Sequence, residues 1–508
     1  MTSVPFAVPD ASSRVGRAEL VRLWVGAAAV ASLATATIFD ASVGLNWLLC
    51  VALAGAVLLA ASYCEGTMAH VAPPVGLGWL VATGMVVTAN EVLQAFSVIA
   101  VLLLLAVAIA RSHPERHARA PLLTVAVLPV IVFAECIAQA VRRALDTASA
   151  LTGQRAMPVL RGVAIALPIT GLFALLLSSA DPTMASWRES VEQMFSSWDF
   201  VPRTMFFAFV LVMSLGALGY AASVSTDKVT AAPVAERKPF VQLGGAERLI
   251  VLGTIAGLFT LFLTLQLRYL FGDVASILGS GMTYAEWAQR GFAELTVVAT
   301  LCGGVMLWLA LNAPAGEQRR HILALELIVI GETQVLLQSA FRRVLLYEEA
   351  YGYTTSRVWA QAYMIVVAAS LLLLAGELVR SPEARRLLAR AGALGVMALV
   401  ALSMWNHEAW IVRQNMERYA VSQKLDMRYL ACDLSANAVP ELLRLTSRAD
   451  LPMAAQARTA VAERFAGRMN DSWYEWNAGR ARARGAIESQ NIIAAWPEPS
   501  TGVCHRKW

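Results

Sequence analysis

Charged side chains are scarce in this sequence. Asp, Glu, Lys and Arg make up 15% of its 508 residues, whereas about 25% is usual in soluble domains. The formal net charge of +5 is small for such a length and gives no electrostatic indication of a nucleic-acid partner. Histidine and cysteine are equally few, with six of each, and the cysteines show no metal-ligand spacing. His113 and His117 are four positions apart, but they flank Pro114 in a basic loop, which disfavours a metal site there. We therefore predict no nucleic-acid partner, no metal and no cofactor.

The motifs that identify common soluble enzymes are also missing. The sequence contains no P-loop, no glycine fingerprint for dinucleotides and no pair of histidines in the HExxH pattern. No catalytic residue is therefore predicted, and the choice between an enzyme and a binding protein stays open at this stage.

Long apolar runs are abundant instead. Hydrophobic residues make up 57% of the chain and its mean hydropathy is +0.57. About 20 apolar residues of helix cross a bilayer core, and only helices satisfy the backbone of such long runs. Eleven runs approach that length: 19–38, 43–62, 75–90, 92–110, 157–179, 201–223, 246–271, 290–312, 321–341, 357–379 and 389–407. We predict an all-α, polytopic transmembrane bundle of about eleven spans, with a range of ten to twelve, and a small helical C-terminal soluble domain.

A twelfth stretch, 121–141, is interrupted by two prolines, Glu135 and Gln139, so it either spans the bilayer or lies at its surface. If it does not cross, the arginine-rich and lysine-rich loops fall on one side, as the positive-inside rule requires. Eleven spans predict a cytoplasmic N-terminus and a periplasmic C-terminus. Twelve spans would place the C-terminal part inside.

Composition divides the chain into a first transmembrane block (1–223), a cytoplasmic linker (224–245), a second transmembrane block (246–407) and a helical C-terminal domain (408–508). Cys432 and Cys504 both lie in the last part. They pair only if that part faces an oxidising compartment, and their spacing alone does not show that they are close. The C-terminal domain is also where we expect a protein partner, if there is one.

Polar residues concentrate in the second block, above all within 321–349. On a helical wheel they form two stripes of about 80° and about 40°. The members are Gln334, Gln338, Arg342 and Glu349 for the first, and Glu332, Ser339 and Arg343 for the second. The remaining arc, from Val329 to Val344, is apolar, and we expect it to face lipid.

The same topology places further polar and aromatic residues at one end of the second block, which predicts an outward-facing vestibule. The candidate ligand-binding residues are Arg268, Arg290, Glu294, Glu332, Gln338, Arg342, Arg343, Tyr347, Tyr351, Tyr353 and Arg357. Two interpretations stay open. The residues form ion pairs between helices, or they bind a phosphate or carboxylate and stack on the sugar or lipid attached to it. Glu332 either carries a proton or hydrogen-bonds to Gln266 or Thr296 as part of helix packing.

Six short motifs resemble a bacterial multi-pass membrane family. They are Phe-Asp-Ala-Ser-Val-Gly-Leu-Asn (39–46), Tyr-Ala-Glu-Trp-Ala-Gln-Arg-Gly-Phe-Ala-Glu-Leu (284–295), Tyr-Glu-Glu-Ala-Tyr-Gly-Tyr-Thr-Thr-Ser-Arg (347–357), Leu-Asp-Met-Arg-Tyr-Leu (425–430), Ala-Val-Pro-Glu-Leu-Leu (438–443) and Trp-Asn-Ala-Gly-Arg (476–480). Together they resemble the domains of unknown function DUF4173 and DUF4153. The resemblance implies a protein of the bacterial inner membrane and implies no particular activity.

We expect the protein to bind or transport an anionic amphiphile, such as a lipid or polyprenyl-linked headgroup, at the outer leaflet. Membrane lipids are the expected partners. One alternative is a non-catalytic scaffold or sensor subunit that acts through its C-terminal domain. A second alternative is an integral-membrane transferase with a lipid-linked substrate.

Overall fold

The computed structural model of the chain describes residues 17–113, 128–152, 200–222, 244–270, 292–311, 319–380, 384–446, 454–465, 472–490 and 504. Within these ranges the regular structure is helical and no strand occurs. The prediction of an all-α fold is confirmed.

In these ranges the long helices are α1 (Arg17–Thr37), α2 (Leu45–Cys64), α3 (Met68–Val87), α4 (Glu91–Arg111), α5 (Leu128–Thr152), α6 (Phe200–Ala221), α7 (Gly245–Leu270), α8 (Phe292–Leu311), α9 (Arg319–Tyr351), α10 (Thr355–Arg380) and α11 (Ala384–Met404). Shorter helices follow: α12 (His407–Ser422), α13 (Val439–Thr446), α14 (Ala454–Phe465) and α15 (Ala478–Ser489). A π-helical turn at Tyr429–Asp433 and 3-10 turns at Ala436–Ala438 and Trp473–Glu475 lie between them.

Ten of the described helices are long and apolar enough to cross a membrane, and they coincide with ten of the eleven predicted runs. The remaining run, 157–179, lies outside the described residues. Helix α5 overlaps the stretch 121–141 and is not among the ten. The protein is an integral, multi-pass membrane protein.

The chain splits into two compact units, and the first comprises residues 1–86, 97–232 and 471–476. Its helix α6 packs against α1 and α5. Gly216 on α6 lies so close to the Cys136 carbonyl of α5 that no side chain fits there. The short segment near the C-terminus binds the α1–α2 turn, where the amide of Leu45 donates to the Trp476 carbonyl at 3.0 Å.

The second unit comprises residues 87–96, 233–470 and 477–508. Helix α9 is its centre, because α9 packs against α7, α8 and α10, and α10 packs in turn against α11. Since α9 runs from Arg319 to Tyr351, we refer to the two ends of these helices as the Arg319 end and the Tyr351 end.

The apolar arc of α9 does not face lipid, so that expectation is wrong. Val329, Leu336 and Ala340 are at most 1% exposed and belong to the core that α9 forms with its three neighbours. The exposed face of α9 instead carries Ile328 and Val335. A central helix buries its apolar surface against protein, and composition alone does not separate that surface from one that contacts lipid.

The helices after residue 406 form a second core around Ile411, Leu443 and Val461, which are fully buried. Helix α12 begins at the cap Asn406, whose side chain accepts from the Ala409 amide at 3.1 Å. Cys432 and Cys504 form a disulfide, with their Cα atoms 5.7 Å apart. The pairing that spacing left undecided is therefore present.

Candidate functional site

The turn between α9 and α10 is built around Gly352, whose φ of +90° is a conformation that glycine adopts without strain. The guanidinium of Arg357 donates to the Gly352 carbonyl and lies 4.1 Å from the centre of the Tyr347 ring. This is the geometry of a cation–π contact. We call the group Tyr347, Glu348, Tyr351, Tyr353, Arg357 and Gln361 the turn site.

Glu348 is the buried acid of the turn site, with 1% of its surface exposed. Its Oε2 accepts a hydrogen bond of 2.7 Å from the Gln361 side chain, and Arg357 is close enough to interact with it electrostatically. Its Oε1 has no hydrogen-bond partner among the described residues. A buried carboxylate oxygen without a hydrogen-bond donor costs stability in the folded protein.

Helix α12 fixes the turn from outside the membrane helices. The Asn415 side chain accepts from the Tyr353 amide at 2.9 Å and donates to the Tyr353 carbonyl at 2.8 Å. Arg418 donates to the Glu349 carbonyl at 2.8 Å and also to the Ala350 carbonyl. The backbone of the turn is therefore held by side chains from a different helix.

The phenol of Tyr429 adds a further bond, because its oxygen accepts from the Thr355 amide at 2.8 Å. Burial raises the pKa of Tyr429 above its usual range, and burial does the same for Tyr353. The shift moves both phenols further from ionisation at neutral pH.

Aromatic rings surround this end of the helices. Ring centres are 4.8 Å apart for Tyr347 and Tyr351, and 5.2 Å apart for Tyr353 and Trp410. Tyrosine and tryptophan combine a large apolar surface with a polar tip, which suits the level at which a helix leaves the bilayer. The turn site thus has the character of a membrane–water boundary.

The other predicted residues fall in different surroundings. Arg343 is 8% exposed and interacts electrostatically with Glu294 at the start of α8, whereas Gln338 and Arg342 are exposed. Glu332 accepts a hydrogen bond of 2.5 Å from the Thr260 hydroxyl of α7.

The structure therefore brings Tyr347, Tyr351, Tyr353 and Arg357 together at the turn and leaves Glu332 separate. Arg268 lies on α7, but its side chain is outside the described residues, and so is the whole of Arg290.

A family model described as a domain of unknown function, DUF4153, matches residues 75–445. The chain belongs to this family. No curated protein and no solved structure matches it. The DUF4153 range contains the whole turn site and helix α12, whereas Cys504 and α15 lie beyond its end.

A cluster of buried polar side chains was not predicted from the sequence. All its members lie within the DUF4153 range except Asn477, which follows it. The Asn90 amide donates to Glu408 at 2.6 Å, and the Ser435 hydroxyl donates to the same carboxylate. Asn437 and Asn477 donate to the Thr88 hydroxyl and carbonyl at 2.9 and 2.8 Å. The available signal was the Asn406–Glu408 sequence directly after a span, a capping pattern with an acidic first turn.

Two groups of charges at the Arg319 end were also missed. Arg248 and Glu326 form an ion pair of 3.0 Å and are 2% and 0% exposed. Glu377 binds both Arg386 and Arg390. Glu377 is the one carboxylate within the run 357–379, and Glu326 shares the run 321–341 with Glu332. An acid inside an apolar run is the sequence signal for an intramembrane partner.

Proposed function

We propose that this membrane protein binds the headgroup of an anionic amphiphile beside the turn site. The observation that carries the proposal is the exposed face of α9. Ile328 and Val335 on that face are apolar, and toward the Tyr351 end the same face continues with Gln338 and Arg342. This surface changes from apolar to charged along one helix, with Arg342 two turns before the exposed Glu349. It suits a lipid, whose tail meets apolar groups and whose headgroup meets charge.

The level of Arg342 in the bilayer supports this assignment. Helix α9 has 33 residues and is therefore about 50 Å long, about 20 Å more than the hydrocarbon core. If α9 is centred, Arg342 lies about 10 Å from the midplane and about 5 Å inside the hydrocarbon boundary. An arginine at this depth keeps its stem among the lipid tails while its guanidinium reaches the hydrocarbon boundary, below the headgroups.

Exposed aromatics at the same end support the same level. Tyr351 and Trp405 are 52% and 44% exposed, and they lie where α9 ends and just after α11. Such rings favour the interface between tails and headgroups. The aromatic residues therefore mark the headgroup level at this end of the helices.

The proposed orientation places the Tyr351 end outside the cytoplasm, in the periplasm of a bacterial inner-membrane protein. The Cys432–Cys504 disulfide supports this, because disulfides persist in oxidising compartments. Within the second unit, α12 is bonded to the α9–α10 turn, so the C-terminal helices share the side of that turn. Basic residues at the Arg319 end agree with a cytoplasmic location for that end.

The test is a lipid titration of the full-length protein by native mass spectrometry in detergent. Arg342→Gln should lower the affinity for phosphatidylglycerol about tenfold and leave binding of phosphatidylcholine unchanged. Arg320→Gln, an exposed arginine at the opposite end of α9, is the matched control. Equal affinities of the two variants for phosphatidylglycerol would contradict the proposal.

A second candidate function is a scaffold or sensor that signals through the C-terminal helices. Its supporting observation is that Asn415 and Arg418 of α12 bind the backbone of the turn site directly. A change at the turn would reach α12 through these bonds. Deletion of residues 409–508 should then abolish the cellular function even if the membrane helices still bind lipid.

A further inference from the structure

Glu377 lies near the Arg319 end of α10 and is 3% exposed although it can carry a charge. The Nε of Arg386, on α11, donates to both carboxylate oxygens at 3.1 Å. Arg390, one turn further along α11, donates from Nη1 to Oε1 at 2.7 Å. One buried carboxylate therefore orients two guanidinium groups from the neighbouring helix.

The two arginines remain accessible despite these bonds. Their side chains are 40% and 48% exposed, whereas the Glu377 side chain is 3% exposed. One negative and two positive charges leave this triad with a net positive charge. Arg380, in the last turn of α10, is exposed as well and adds to the positive potential.

A structural ion pair needs only one of these arginines. A single bidentate arginine already neutralises a carboxylate, so the second cation exceeds what joining α10 to α11 requires. Arg386 also lies in the first turn of α11, where the helix dipole disfavours a positive charge. An anion placed against both guanidinium groups would be stabilised by them and by the dipole together.

The triad lies where α10 ends and α11 begins, so it is at the level where both helices leave the bilayer. Basic groups between transmembrane helices at that level are suited to anionic headgroups. Guanidinium groups are preferred over ammonium groups for phosphate because they bind two oxygens at once.

We propose that Arg386 and Arg390, oriented by Glu377, form a second binding site that takes the phosphate of an anionic lipid headgroup at the Arg319 end. This site is at the opposite end of the helices from Arg342 and does not depend on the function proposed above. Glu377 is the positioning residue, and the two arginines contact the ligand.

The experiment uses the delipidated full-length protein in detergent, titrated with phosphatidylglycerol and followed by native mass spectrometry. The variants are Arg390→Gln, Arg390→Lys and the double variant Arg386→Lys with Arg390→Lys. Arg320→Gln controls for loss of one positive charge at the same end, and Arg342→Gln removes only the other proposed site. Inorganic phosphate is titrated separately to distinguish a free anion from a lipid headgroup.

We expect Arg390→Gln to weaken one phosphatidylglycerol site about tenfold. Both lysine variants should weaken the same site at least threefold because lysine keeps the charge and loses the paired donors. Arg320→Gln should have no effect on this site, and the effect should persist in an Arg342→Gln background.

Three results would overturn the proposal. In the first, the Arg390→Gln and Arg320→Gln proteins bind phosphatidylglycerol equally. In the second, the lysine variants keep full affinity, which would show that positive charge alone, and not the paired guanidinium donors, determines binding. In the third, millimolar inorganic phosphate displaces the lipid completely, which would assign the triad to a free anion. If the glutamine variant fails to fold, the two lysine variants still decide between these outcomes.

Discussion

The side-chain amide of Asn90 donates a hydrogen bond of 2.6 Å to Glu408, which lies 318 positions away in the sequence. Asn90 also caps α4, because its side-chain oxygen accepts from the Leu93 amide at 2.9 Å. One side chain therefore both starts a membrane helix and binds the carboxylate at the start of α12. Glu408 is 1% exposed, so the hydrogen bonds that it accepts from Asn90 and Ser435 stabilise its carboxylate in place of water.

Asn90→Ala should destabilise the second unit by about 1–3 kcal/mol, because it leaves a buried carboxylate short of one donor and removes the cap of α4. Thermal unfolding in detergent measures the change. Arg413→Ala, an exposed position on α12, is the control and should leave the midpoint unchanged. Equal midpoints for the two variants would show that the Asn90–Glu408 bond contributes nothing.

Cys432→Ser should lower the stability of the C-terminal helices by about 4 kcal/mol, since the disulfide closes a loop with a sequence separation of 72. Limited proteolysis with and without a reducing agent reports the effect. Cys64→Ser alters an exposed free thiol and should have no effect. A Cys432→Ser protein as resistant as the unreduced native protein would contradict this prediction.

Gly352→Ala should destabilise the turn site by about 1–2 kcal/mol, because a positive φ disfavours any residue with a Cβ. The added carbon would also meet the Asn415 side chain. Gly331→Ala on α9 is the control, since its Cβ would meet no neighbouring atom within 4 Å. The prediction fails if both alanine variants unfold at the same temperature.

Arg248→Leu and Glu326→Leu should each destabilise the protein by about 3–5 kcal/mol, because each leaves a buried charge without its main partner. The double variant should be much closer to the native stability, since no charge is then left behind. Unfolding midpoints of the four proteins form a double-mutant cycle. Additive losses would mean that the two residues do not act as a pair.

The side of the membrane is tested with cysteines at exposed positions. Val421→Cys on α12 should react with a membrane-impermeant thiol reagent in intact spheroplasts, whereas Arg320→Cys at the Arg319 end should react only after lysis. Cys64 is changed to serine in both proteins to remove its exposed thiol. The reverse labelling pattern would invert the proposed orientation.

The sequence predicted the spans well because crossing a bilayer requires a long apolar run, and length can be read directly. It placed the start of one run at residue 75, whereas α3 begins at Met68 and continues through Pro73 and Pro74. Proline ordinarily ends or kinks a helix, so the earlier turns were not predicted.

The faces of α9 were harder to predict for a physical reason. Leu336 is 1% exposed and Val335 is 44% exposed, yet both are aliphatic residues in the same run. Lipid tails and protein cores are equally apolar, so composition does not distinguish the two surfaces. Tyr347 and Arg357 were predicted to share a site because they flank one turn, whereas Thr88 and Asn477 meet only through the fold.

The hydrogen bond between Thr88 and Asn477 can form only late in the synthesis of the chain. The Thr88 carbonyl accepts from the Asn477 amide, 389 positions later in the chain. At about 5–20 residues per second, a ribosome needs about 20–80 s to reach Asn477 after it has made Thr88. During that time the bond cannot form, even if α3 and α4 are already in the membrane. The nascent polypeptide therefore matures last at the turn between α3 and α4, and a stop codon before position 477 would leave that turn permanently without this bond.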